Sequence, residues 1–374
     1  MKNIFLILFF INLIQLKAIL GQENKNEEYK KTVEWDLNYT GDIARNFVGG
    51  KAVGNAYMGL LKGDITLNMD KFWKGGKFKL EIMNTHGKNL SENYIGDLQI
   101  ASNIENGNYT FLEKLYFEQK ISKLTFLIGL QDLNENFCVN EYGGSLTNSS
   151  FGIHSTFPLN FGVPIYPKTA LAIASYIYFT DKFFLRAAIF DGDAGSLDED
   201  KHNLDWSISK EDGLLWITEG EYIPNTEKLT DIKVGFFYHT ANFISQSDST
   251  IIKGNYGFHG IINKEILTIN SLKTGLFGQV AYFPSKANFN NLYLGGGLNF
   301  SGISAKRPDD YLALGFAYAQ IYKKTAECDI EINYCFSVGN HFSLQPCFHY
   351  IINPGANQGY KNSLAGFLRF SIFK

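Results

Sequence analysis

Proline is scarce in this chain, with 8 residues in 374, and cysteine is scarcer, with 4. Cys138, Cys328, Cys335 and Cys347 lack the paired spacing of a zinc site or a redox CxxC, and they are too few for a scaffold built on disulfides. Cys335 and Cys347 share face parity on neighbouring predicted strands, but a turn near Gly339 offsets them along the ladder, so free thiols are expected rather than a bridge. An excess of one charge is also missing. With 34 Lys and Arg against 37 Asp and Glu, the basic surplus of a nucleic-acid binder is excluded. No HExxH, GxSxG, Walker sequence or dinucleotide fingerprint occurs, so neither an enzyme, a cofactor nor a resident metal is expected.

Long apolar runs are absent except at the start, "MKNIFLILFFINLIQLKAILGQE". There Lys2 precedes an apolar stretch from Ile4 to Ile14, and Gln15 and Lys17 interrupt it well short of the roughly 18 residues a membrane-spanning helix needs. Residues 1–21 therefore read as a secretory signal peptide. Its removal takes away two lysines and no acid, leaving a net charge of −5. Residues 22–31, "QENKNEEYKK", read as a short polar arm, and residues 32–374 as one domain with no Pro/Ser-rich linker to divide it.

What the chain has in abundance is Phe (32), Tyr (21) and Gly (36), set in segments of period 2. In "TVEWDLNYT" Glu34, Asp36 and Asn38 oppose Val33, Trp35, Leu37 and Tyr39, and in "KGDITLNMD" Lys62, Asp64, Thr66 and Asn68 oppose Gly63, Ile65, Leu67 and Met69. Such alternation gives a strand two unlike faces. Similar runs near 77–86, 96–103, 109–118, 123–131, 169–178, 182–190, 213–222, 230–238, 255–263, 273–282, 291–299, 311–320, 327–336, 341–351 and 363–372 predict 16 or 17 strands. Short turns such as "KGG" (74–76), "ENGN" (105–108), "TDK" (180–182) and "VGNH" (338–341) imply an antiparallel up-and-down meander. Longer inserts at 132–168, 191–212 and 240–254 are expected on the opposite rim, and one short rim with one long rim is the pattern of an outer-membrane barrel.

The segment "ECDIEINYCF" (327–336) states the face problem most sharply. If its apolar residues Ile330, Ile332, Tyr334 and Phe336 face lipid, then Glu327, Asp329, Glu331 and Asn333 face a watery interior. The reverse would put charge into hydrocarbon at roughly 2–4 kcal/mol for a single Lys near the midplane. Aromatics towards strand ends, including Trp35, Tyr39, Phe236 and Tyr238, suit an interfacial girdle. About 350 residues over about 16 strands leave roughly 22 each, enough for a tilted 9–11-residue span and its connection. The fold class expected is all-β: a transmembrane antiparallel β-barrel of about 16 strands with a water-filled lumen.

Eight stretches in order, "NYTGDIARNFVGG" (38–50), "IGDLQIASNIE" (95–105), "LEKLYFEQKISKLTFLIGLQDLNENF" (112–137), "NSSFGI" (148–153), "FPLNFGVPIYPKTAL" (157–171), "FFLRAAIFDGDAG" (183–195), "RPDDYLALGFAYA" (307–319) and "YIINPG" (350–355), give the chain its likeness to a known family. Along nearly its whole mature length it resembles the carbohydrate-selective porins of the OprB type. The resemblance implies a 16-stranded outer-membrane barrel through which small carbohydrates such as glucose, and short oligosaccharides, diffuse passively. It further implies contact with outer-membrane lipid, insertion by the barrel-assembly machinery and assembly as a homotrimer. Barrels of this kind usually end in an aromatic residue, whereas here Lys374 follows Phe373. The arm at 22–31 is expected in place of a plug.

A sugar channel needs side chains that replace water around hydroxyls without holding the solute too strongly. Arg186, which shares parity with Phe184, Ala188 and Phe190, is expected inward, either on the solute path or as a salt-bridged wall residue. Asp132, Asn134 and Glu135 open the longest insert and would form the constriction if it folds into the pore, or a solvated mouth if it does not. Glu118, Lys62, Asp64, Glu331 and Arg369 face the lumen by parity. "FDGDAG" (190–195) has two spaced acids but lacks the other calcium ligands, and reads as a turn. His154, Ser155 and the serines of "NSSFG" suggest an outer-membrane hydrolase only weakly, since no base and orienter can be named. A general diffusion pore, that hydrolase and a closed glycan-binding adhesin are the alternatives.

Overall fold

The protein, here a computed structural model, is described over residues 32–225, 227–323 and 325–374. The expected signal peptide and polar arm lie outside these residues. Sixteen strands are found among the described residues. They are β1 (Val33–Gly50), β2 (Gly54–Asn68), β3 (Gly76–Gly87), β4 (Tyr109–Ile121), β5 (Leu124–Gln131), β6 (Ala170–Thr180), β7 (Phe183–Asp191) and β8 (Leu214–Tyr222). The second half comprises β9 (Thr230–Ile244), β10 (Ile251–Ile269), β11 (Leu272–Tyr282), β12 (Asn290–Ser301), β13 (Tyr311–Ile321), β14 (Ala326–Val338), β15 (Phe342–Ile352) and β16 (Lys361–Phe373). Each pairs antiparallel with its sequence neighbours, and β1 closes on β16 with Asp42 opposite Arg369. Closure leaves no strand edge with unpaired backbone groups, as a membrane demands.

The outer face is apolar where the alternation places it. On β14, Ile330, Ile332 and Phe336 are 40%, 45% and 41% exposed, whereas Glu327 and Glu331 are fully buried. The inward direction of these acids follows from parity, but the watery surroundings expected for them do not hold. Connecting segments fold over them and supply backbone N–H groups in place of water.

Three segments on one rim, 88–108, 132–169 and 192–213, connect β3 to β4, β5 to β6 and β7 to β8. Two sequence expectations are corrected here. Residues 96–103 form no strand: Gly96 and Ile100 adopt left-handed backbone, and the segment turns inward so that Leu98 and Gln99 donate their N–H groups to Glu327. Residues 240–254 form no long insert, because β9 runs on to Ile244 and β10 starts at Ile251. Cys347 pairs with Asn333, two positions from Cys335, and all four cysteines are free thiols.

Candidate functional site

The 132–169 segment is apolar on one side, and that side lies on the inner wall. Leu133, Phe137, Leu146, Phe151 and Phe157 bury against inward residues such as Ala172, Ala188, Phe237, Phe277 and Ala313. The wall beneath is cut away: a Cβ on Gly275 would fall 2.2 Å from the Tyr142 ring, and one on Gly315 would fall 2.5 Å from Leu146. Segment 88–108 packs likewise on the β1, β2, β15 and β16 side through Leu90, Ile95 and Ile104. Leu197 of the third segment joins Met83 and Phe111.

Charged wall residues fix these segments. Glu331 accepts from the N–H groups of Thr147 and Asn148 and from the Thr147 hydroxyl at 2.8–3.0 Å. Asp329 accepts from Asn148 Nδ2 at 2.6 Å and contacts His349 Nδ1 at 2.9 Å. Lys233 Nζ donates to the Val139 carbonyl and to Glu141, both at 2.7 Å. Hydrogen bonds to charged groups contribute about 1.5–3 kcal/mol each, so the segments are held in definite positions.

Segment 132–169 starts in a charge ladder. Lys62 pairs with Glu81 at 3.2 Å, Glu81 with Lys114 at 3.3 Å, Lys114 with Glu135 at 3.5 Å and Glu135 with Lys79 at 2.5 Å. Burial pushes Glu135 upward, but Lys114 and Lys79 outweigh it and hold its carboxyl below the usual range. The Asp132 side chain accepts from the Asn134 N–H at 2.8 Å. Its burial, only partly offset by Lys114, raises it to about 6. Asn134 Nδ2 donates to the carbonyls of Phe137 and Gly152 at 3.0 and 2.9 Å, closing the segment on itself.

Between the three segments and the β16, β1 and β2 wall remains a space of about 1040 Å³. Of the sequence candidates, Lys62, Asp132, Asn134 and Arg369 line it, together with Tyr109, Tyr166 and Tyr311. Arg369 is braced by a two-pronged pair with Asp42, both bonds 2.9 Å, and Ser102 Oγ lies 3.3 Å from it. The remaining candidates lie elsewhere. Arg186 bridges Glu219 and Glu221 at 2.9 and 2.7 Å along the wall. Glu118 pairs with Lys77 at 3.3 Å, and Asp64, inward on β2, sits opposite Glu81 of β3. Glu331 lies beneath the 132–169 segment. Sequence reasoning missed Glu81, Lys114, Asp42 and the three tyrosines. Parity turns the first three inward, but nothing in their local sequence separates them from other inward charges.

The family model of the carbohydrate-selective porins, OprB family, matches residues 53–372. The chain belongs to this family. An OprB-family assignment makes it an outer-membrane carbohydrate porin, a channel by family and by fold. The high-pH structure of Pseudomonas putida OprB superposes with a TM-score of 0.83 at 18% identity, covering 92% of this chain and 94% of that one. The low-pH structure of the same protein gives 0.63 at 17% identity, covering 92% and 93%. The outer-membrane channel DcaP of Acinetobacter baumannii gives 0.57 at 9% identity, covering 91% and 97%. No curated protein matches the chain.

Proposed function

We propose that this OprB-family barrel lets monosaccharides such as glucose, and short oligosaccharides, diffuse passively through the space beside the 132–169 segment. The observation that carries this reading is the lining of that space: paired charges and an amide alongside three tyrosines. Lys62, Asp132, Asn134 and Arg369 offer hydrogen bonds to sugar hydroxyls, while Tyr109, Tyr166 and Tyr311 cover the apolar face of a ring. Most of the polar groups already have partners, so a passing solute exchanges weak bonds and leaves again. Arg186, Glu118, Asp64, Glu135 and Glu331 support the wall and the folded-in segments. In this reading the chain is a passive channel and not a catalyst. Residues 1–21 export it and are cleaved, residues 22–31 form the arm, and residues 32–374 are inserted by the barrel-assembly machinery and assemble as a homotrimer.

Single-channel conductance of the refolded mature protein in a planar bilayer, with a series of mono- and oligosaccharides, tests this. Open channels whose ion current falls on adding sugar are expected. Stable channels indifferent to every sugar would mean a general diffusion pore, and a folded barrel without conductance would favour the hydrolase or adhesin.

A further inference from the structure

On the wall side of the 132–169 segment lies a cluster of side chains that do not themselves line the cavity. Cys138 and His154 come from the segment, Glu219 from β8 and His259 from β10. Cys138 Sγ is 3.5 Å from His259 Nε2, and that nitrogen is 2.9 Å from Glu219 Oε2. The three donor atoms all lie within 4.8 Å of one another. The His154 ring is centred 5.6 Å from that of His259. All four residues are buried. A second observation is independent of this spacing: neither ring nitrogen of His154 has a hydrogen-bond partner among the described residues. A buried imidazole without a partner is costly, and one beside a thiol, a carboxylate and a second imidazole points to a ligand that takes its lone pair.

We propose that Cys138, Glu219, His259 and His154 bind a divalent transition-metal ion of the zinc class, which staples the folded-in segment to the barrel wall. Sulfur, imidazole and carboxylate donors are the set that zinc takes in four-coordinate sites. Bonds of about 2.3 Å to sulfur and about 2.0–2.1 Å to nitrogen, at a tetrahedral angle, put those atoms about 3.5 Å apart, as Cys138 and His259 are. The Glu219–His259 separation is that of a hydrogen bond and opens by roughly 0.4 Å when an ion replaces the shared proton. His154, buried and unpartnered with its ring centred 5.6 Å from that of His259, is the donor beside the set for the fourth position. The charges balance: the ion's two positive charges meet the Glu219 carboxylate and the Cys138 thiolate, whose proton leaves to solvent, while the ring proton of His259 moves from Nε2 to Nδ1 and frees Nε2 as the ligand. Arg186 keeps its bond to the other oxygen of Glu219. The four positions are scattered along the chain, so no local spacing announces them.

The test is titration of untagged, metal-free, refolded full-length mature protein in detergent with Co²⁺, followed by competition with Zn²⁺. One Co²⁺ per chain is expected, with a thiolate-to-metal charge-transfer band that Zn²⁺ abolishes. The band is lost in Cys138→Ser and His259→Gln and weakened in His154→Gln. Binding without the band, or an unchanged band in Cys138→Ser, would overturn the proposal. Should the variants not fold, X-ray absorption at the zinc edge on the unsubstituted protein still decides. One sulfur at about 2.3 Å with imidazole scattering is expected, and a shell of oxygen alone, or no bound zinc, rejects the site.

Discussion

At the scale of the residue, inward charges divide by what they touch. Arg186 is 15% exposed at its side chain and spans two glutamates that are more buried still. Arg186→Ala leaves both carboxylates without their cation, a loss of about 3–5 kcal/mol for a broken buried pair, so unfolding in denaturant should begin at clearly lower concentration. Lys62, 34% exposed and on the cavity, is one of two lysines on the buried Glu81, which keeps its pair with Lys114 when Lys62 is removed. Lys62→Ala should therefore leave stability nearly unchanged while altering single-channel conductance and the depth of sugar block. Equal block in Lys62→Ala and the parent would remove Lys62 from the solute path. Both side chains point inward by parity. The glutamates that occupy Arg186 sit on the next strand, and only strand register brings them within reach.

At the scale of the element, segment 132–169 is the part whose position sets the lumen. Glu331→Ala takes the acceptor from two buried N–H groups, about 1–3 kcal/mol each. Amides of 145–150 should then exchange hydrogen faster and channels should show larger, noisier currents, whereas unchanged exchange would mean apolar packing alone holds the segment. The base of the segment responds to pH through Glu135. Its carboxyl is held below the ordinary 4.5, so its contribution is present above that value and is lost as pH falls through the lowered value. Exchange at 133–137 should accelerate in acid, and Glu135→Gln should flatten that acid arm. Asp132 acts in the opposite sense. Raised to about 6, it contributes at low pH and loses that contribution as pH rises through about 6. The length of this insert is legible in the sequence. Its inward fold is not, because the partners of Phe151 and Phe157, namely Phe277 for the first and Phe237 and Phe283 for the second, lie about 80 to 130 residues further along the chain.

For the whole molecule, the decisive property is which face meets lipid. Ile332, 45% exposed on β14, should tolerate no charge. Ile332→Arg near the midplane costs roughly 2–4 kcal/mol, and its yield of heat-modifiable, liposome-inserted barrel should fall well below the parent's. Normal insertion of that variant would reverse the face assignment for the entire strand.

The period-2 alternation located nearly all the strands and their faces, because between bulges a side chain's side of a pleated sheet follows odd or even position. With the rim lengths, the aromatics at strand ends and the residues per strand, it pointed to a barrel. Residues 96–103 show the limit of that rule: alternation is necessary for a strand but does not guarantee a partner, and Leu98 and Gln99 donate to Glu327 instead. Tertiary structure alone decided where water remains inside. Glu327, Asp329 and Glu331 face inward as their parity requires, yet Glu327 and Glu331 bond folded-in backbone and Asp329 the Asn148 side chain, while Lys62 and Arg369 face the remaining space. That division depends on contacts between residues far apart in the chain, and a local pattern carries no record of what will cover it.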